Sequence, residues 1–125
     1  MFFALMLTEQ EFQQRFRVAV TRAKLPVRLW RQPAGAILAK RGGSVECAPV
    51  GAADLTGGVT HGPRKGVRIE IEMKGHDTPT TNAQRAWEAF CHASGFIYLH
   101  LRYDVGLSPD ENLERAVAAV REAIG

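Results

Sequence analysis

Val67-Arg68-Ile69-Glu70-Ile71-Glu72-Met73-Lys74 is the stretch on which the fold turns. Side chains alternate along a β-strand, so Ile69, Ile71 and Met73 share one face while Glu70, Glu72 and Lys74 share the other. The apolar face needs a core. On the charged face Glu72 and Lys74 lie two residues apart, roughly 7 Å at about 3.3 Å per residue. Upstream, Gly51-Ala52-Ala53-Asp54-Leu55 reads as a strand bounded by Gly51 and by Gly57-Gly58. Thr60-His61-Gly62-Pro63-Arg64-Lys65-Gly66 is rich in turn residues and joins the two as a hairpin, which brings Asp54 close to Glu72. Two carboxylates suit a hard divalent cation, and a lysine beside them suits a phosphate oxygen or an attacking water. Taken alone, such a pattern is most often a solvated outer face, on which alternating Glu and Lys discourage edge-to-edge pairing.

Three capping boxes organise the rest of the chain. Thr8-Glu9-Gln10-Glu11 opens a helix expected to reach about Lys24, before Pro26. Phe12, Phe16, Ala19, Val20 and Ala23 recur at helical spacing and give that helix one buried stripe. At about 100° per residue Glu9 and Gln13 fall within the stripe, whereas Glu11 points to water as a cap. Thr81-Asn82-Ala83-Gln84 opens a second helix ending at Gly95, with Ala83, Trp87, Phe90 and Cys91 inward and Gln84 at the border. Ser108-Pro109-Asp110-Glu111 opens a third, striped by Leu113, Ala116, Val117, Val120 and Ile124. Val27–Arg31, Ala36–Ala39 and Phe96–Leu101 read as strands, with Arg41-Gly42-Gly43-Ser44 as a loop. The order is helix, three or four strands, helix, strand, helix. That implies one α/β domain over residues 1–125, a mixed sheet flanked by helices.

At 125 residues there is room for one core and none for a second. Cys47 and Cys91 are too few and too far apart for a disulfide framework or a zinc site, which suits a reduced, cytoplasmic protein. Met1-Phe2-Phe3-Ala4-Leu5-Met6-Leu7 is too short for a membrane span and lacks a basic leader. A short strand, or a patch buried by a partner subunit, fits it better. The net charge of +3 is mild, but its distribution is not. No acidic residue falls between Glu11 and Glu46, where Arg15, Arg17, Arg22, Lys24, Arg28, Arg31, Lys40 and Arg41 all lie. Arg64, Lys65 and Arg68 form a second basic group. One-signed segments favour a polyanion such as nucleic acid, and fit a solvated basic helix face and loop as well. The four histidines lack ligand spacing, with His76 and Asp77 read as a loop pair, and Trp30 and Trp87 are expected in the core.

In order and spacing, the chain from about Thr8 to about Leu101 resembles the PD-(D/E)XK nuclease superfamily, most closely its VRR-NUC branch of phage and bacterial proteins related to Holliday-junction resolvases. The resemblance rests on Thr8-Glu9-x-x-Phe12-Gln13, Trp30-Arg31…Gly35, Gly51-x-x-Asp54-Leu55-x-Gly57, Ile71-Glu72-Met73-Lys74-Gly75 and Gln84-x-x-Trp87 through Gly95. It departs in Ala53, where the family usually has proline, and in the extra acid Glu70, which is either a supporting group or exposed.

That resemblance implies a restriction-endonuclease-like domain of αβββαβα order and a Mg²⁺- or Mn²⁺-dependent DNA endonuclease leaving a 5′-phosphate. Asp54 and Glu72 would hold the ion with the Met73 backbone carbonyl. Lys74 would serve the attacking water and the phosphate, Gln84 would bond Lys74 or the phosphate, and Glu9 would join the metal directly or through water. Arg31, Lys40, Arg41, Arg64 and Lys65 are the expected DNA contacts. The implied substrate is branched DNA, a four-way junction or flap, cut by a homodimer, with neither membrane attachment nor a small-molecule cofactor. Two alternatives stay open: an inactive DNA-binding module of the same fold, and a small phage structural or adaptor protein.

Overall fold

Residues 6–38 and 42–125 are described by a computed structural model. Helix α1 (Glu9–Arg22) begins where expected, with the Thr8 hydroxyl accepting from the Glu11 amide and the Glu11 carboxylate accepting from the Thr8 amide. It buries Phe12, Phe16 and Val20 and stops at Ala23, ahead of Lys24, whose φ of 54° ends the helical path. Helices α2 (Asn82–Ala93) and α3 (Pro109–Ile124) open on capping boxes at Thr81 and Ser108. Gly95, at φ 77°, turns the chain after α2 in a conformation that glycine adopts without strain.

The strands are β1 (Val27–Arg31), β2 (Ala36–Leu38), β3 (Ser44–Glu46), β4 (Leu55–Val59), β5 (Arg68–Lys74) and β6 (Ile97–Arg102). A mixed four-stranded sheet runs in the order β1-β4-β5-β6. Antiparallel pairing joins β1 to β4 and β4 to β5, while β6 lies parallel to β5 after the α2 crossover. Strands β2 and β3 pair apart from it. The hairpin between Asp54 and the charged strand is therefore present, with two differences. Asp54 sits at a bend just before β4 rather than within a strand. Gly57 and Gly58 lie inside β4, opposite Leu29 and Arg28, instead of bounding it. A side chain at Gly57 would collide with the Arg28 backbone, so close strand approach is what requires glycine there.

Helices α1 and α3 pack against each other and against one face of the sheet. That face holds Leu55, Val59, Ile69, Ile71, Met73 and Ile97, which join Leu7, Phe12, Phe16, Val20, Tyr103, Val120 and Ile124 in one core. Phe12 and Tyr103 meet edge to face with ring centroids 5.3 Å apart. Helix α2 crosses the other face, and this overturns the solvated reading of the charged strand. Glu70, Glu72 and Lys74 are 0%, 2% and 3% exposed. Alternation placed them on the correct face; the helix above it is what removes them from water.

Three side chains depart from their expected burial. Trp30 is 51% exposed and Phe90 49%, so neither is a core residue. Trp87 is half-buried, with its indole N–H committed to Glu70. The Met1–Leu7 expectation falls largely outside the described residues, although Leu7 itself is buried in the core. Among the described residues no helix is long and apolar enough to cross a membrane.

Candidate active site

Four elements converge beneath the N-terminal end of α2. The Gly51-Ala52-Ala53 turn presses against Ala83 so closely that no Cβ fits at Gly51, which also has φ 92°. This packing fixes Asp54 at the end of β5. Its Oδ2 accepts from the Met73 amide at 2.8 Å, continuing the β4–β5 ladder with a side chain. Within a strand the N–H and C=O of one residue point to the same side. The Met73 carbonyl is therefore also directed toward Asp54.

Glu72 approaches the same point from β5. Its Oε1 accepts from Gln84 Nε2 at 3.2 Å, and Lys74 Nζ lies 3.8 Å from that oxygen. Its Oε2 is buried and has no hydrogen-bond donor. Lys74 also donates to the Pro79 carbonyl at 3.2 Å. Glu9 borders the cluster, accepting from Thr78 Oγ1 at 3.1 Å, and its negative charge is felt at both Asp54 and Glu72. The inward rotation of Glu9 on its helix is thus realised.

Burial, the charge of Asp54 and a hydrogen bond between the two carboxyls push Glu72 up to about 8, with Lys74 acting in the opposite direction. Asp54 is raised as well, by burial first, against the lowering effect of the Met73 amide. Each carboxyl acts on the titration of the other, so they titrate as a pair. Ionised together they leave a buried, unsatisfied oxygen beside a second negative charge. Only a proton or a cation relieves that arrangement.

The donors fit a hard divalent ion: two carboxylates and a backbone carbonyl, with water in the remaining positions, is ordinary chemistry for Mg²⁺. Among the described residues no group of three His, Cys, Asp or Glu side chains is placed to hold a metal. Glu9 lies at the border of the pair, close enough for its charge to act on both carboxyls.

The expected DNA contacts that fall among the described residues do not gather here. Arg31 is exposed at the end of β1 but alternates onto the core side with Leu29. Arg64 and Lys65 are exposed in the β4–β5 turn, at the far end of β4 from Asp54, roughly 20 Å away along the strand. Lys40 and Arg41 lie outside the described residues. One cation near the cleft was missed by motif reading. Arg102, opposite Lys74 in the β5–β6 register, donates to the Gly75 and Thr78 carbonyls at 2.8 and 2.7 Å and holds the loop after β5. Tyr98 and His100 share its face. Alternation along β6 could have flagged all three, but nothing in the sequence says which strand lies beside β5. A groove of about 850 Å³ between α1 and β1 is lined by none of the clustered residues.

No protein-family model, curated protein or solved structure matches the chain.

Proposed function

We propose that the protein is a divalent-metal-dependent phosphodiesterase. Within that class, the reading we favour is a structure-selective DNA endonuclease with a restriction-endonuclease-like, VRR-NUC-type domain. The observation that carries it is the buried, donor-less Glu72 Oε2 beside Asp54 and within one residue pair of a buried lysine. A retired site or a solvated strand face has no use for burying three ionisable groups together, because each costs free energy unless its partner is present.

Asp54, Glu72 and the Met73 carbonyl would hold Mg²⁺ or Mn²⁺, which when bound supplies Lewis acidity to a water and to the scissile phosphate. The chain's own groups do the rest. The Met73 amide fixes Asp54 by one oxygen and leaves the other for the ion. Gln84 holds Glu72 through Oε1 and so presents Oε2. Lys74 is an ammonium with three donors; the Pro79 carbonyl takes one and Glu72 lies near a second. The third is available to the attacking water or a phosphate oxygen. Asp54, partly exposed where Ala53 and Leu55 beside it are buried, marks the rim at which substrate enters. The basic surface favours DNA, and a homodimer acting in the cytoplasm of a bacterial or phage-infected cell accords with a branched substrate.

The test is incubation with labelled four-way junction, flap and linear duplex DNA in Mg²⁺ or Mn²⁺. EDTA and Lys74→Ala are the controls. Cleavage removed by both supports the enzyme; salt-sensitive binding without cleavage on any substrate leaves the inactive binding module. Neither binding nor cleavage sinks the nucleic-acid reading.

A further inference from the structure

The face of the sheet that carries the cluster continues past α2 onto β4 and β1, where none of the described helices covers it. Directly opposed residues share a face, so the register gives two rows across it. Trp30, Thr56 and Glu70 form one row; Arg28, Gly58 and Arg68 form the next. Beside the first row, on the side of the cluster, Gln32 donates to both the Ala53 carbonyl and Glu70.

An open groove of about 450 Å³ lies there, lined by Trp30, Gln32, Thr56, Gly58 and Arg68 together with Gly57 and Gly66. Its size falls within the range of about 300–1,000 Å³ typical of ligand sites. Its construction is unusual for an outer sheet surface. A side chain built at Gly58 would meet nothing within 4 Å, and Gly58 has no positive φ to require glycine. The missing side chain therefore leaves space rather than permitting a turn. One wall is the half-exposed Trp30 ring. The other is the Arg68 guanidinium, tied to Glu70 Oε2 at 3.3 Å, to Gln32 Oε1 at 3.2 Å, and set over the Phe96 ring. Those three restraints hold a positive charge in a fixed place, with its side chain 43% exposed.

We infer that this groove binds an unpaired stretch of the DNA strand next to the cleavage site, stacking a base on Trp30 with Arg68 opposite. An exposed aromatic face beside a fixed cation is how single strands are held without reading sequence. Gln32 gives the groove continuity with the cleft, since it lines the one and bonds the segment that carries Asp54 in the other. The inference rests on the endonuclease reading and narrows it: the preferred substrate has an unpaired segment at the cut, as flaps and opened junctions do, and a blunt duplex is poorer.

The test measures anisotropy of a fluorescein-labelled thymidine oligomer and of a blunt hairpin duplex in EDTA, for wild type, Trp30→Ala, Trp30→Phe and Gly58→Leu. Cleavage of flap and blunt duplex in Mg²⁺ is run in parallel. The expected result is about tenfold weaker single-strand binding in Trp30→Ala and Gly58→Leu, the order of one lost stack. Trp30→Phe stays near wild type, the duplex is unaffected, and the loss on flap DNA appears in KM rather than kcat. Far-ultraviolet circular dichroism checks that Gly58→Leu folds. Equal binding by all four proteins overturns the groove and leaves the nuclease standing, as does cleavage of duplex by a wild type that ignores single strands. Absence of any nucleic-acid binding or cleavage removes the nuclease reading and the groove with it.

Discussion

Trp87 Nε1 donates to Glu70 Oε1 at 2.9 Å, and that bond ties the α2 helix to the charged face it covers. Gln32 Nε2 donates to the same oxygen at 2.9 Å, and Arg68 reaches the other. Glu70 is thus fully buried yet satisfied from three directions. Its neighbour two residues on, Glu72, is equally buried and left with an empty oxygen. One carboxylate binds the protein together; the other is kept for something else.

Glu70→Ala therefore acts on the fold. It strands the Trp87 and Gln32 donors, each a loss of about 1–3 kcal/mol when buried, while Arg68 can turn to water. Thermal unfolding is expected to fall by roughly 8–24 °C, at about 4 °C per kcal/mol for a domain of this size. Glu70→Gln keeps an acceptor for Trp87, loses less, and retains cleavage. Glu72→Gln folds and does not cleave. Unfolding curves and a nuclease assay on the two Gln variants separate these roles.

The carboxylate pair predicts an inverted pH dependence for the metal-free protein. Glu72 is pushed up to about 8 from its ordinary 4.5, so between those values the folded protein binds more protons than the unfolded chain. Stability then falls as pH rises through that window. In EDTA, the contribution of this pair should make the protein less stable at pH 8 than at pH 5.5. Millimolar Mn²⁺ or Mg²⁺ should restore stability, and more so at pH 8, where the proton no longer competes. Glu72→Gln should raise metal-free stability at pH 8 and abolish the response to the ion. A thermal shift series over pH, with and without metal, decides it; no metal response at any pH would remove the cation from the cleft.

Lys74 shows how much of this was legible. Alternation assigned it to one face with Glu70 and Glu72, and the turn-rich connection predicted that Asp54 would come near. The capping boxes at Thr8, Thr81 and Ser108 placed all three helix starts, because capping is local chemistry readable over four residues. Burial was not readable. A strand of alternating charge looks the same whether water or a helix covers it, and only α2 packing decides. The same limit hid the part played by Glu70, whose donors Gln32 and Trp87 lie 38 and 17 residues away. It also misplaced Trp30: an aromatic in a strand reads as core until the sheet order shows β1 at the edge.

Lys74→Ala is expected to reduce cleavage by about 10²–10⁴-fold, the usual worth of a positioned proton-transfer or charge-stabilising group. Lys74→Met refills the volume without the charge, so it should recover stability and no activity. DNA binding measured in EDTA should change little in either, since the ammonium is buried and contributes little to the outer field. Recovery of cleavage by Lys74→Met would show that the lysine acts by packing alone.

Gln84 does two jobs with one amide, and substitution can split them. Its Oε1 accepts from the Thr81 amide at 2.9 Å to close the capping box, while Nε2 donates to Glu72 Oε1 at 3.2 Å. Gln84→Ala loses both and should cost about 0.5–2 kcal/mol of stability through the cap. Gln84→Glu keeps the cap, since glutamate is the other residue that closes such a box. It also sets a third carboxylate against Glu72, with no N–H to offer. Like charges then hold the cleft protonated to higher pH, so the divalent ion binds less tightly and cleavage shifts to more alkaline conditions or higher metal concentration. Near-wild-type helix content beside a weakened metal response in Gln84→Glu is the expected pattern. An unchanged metal titration would show that Gln84 serves the helix only.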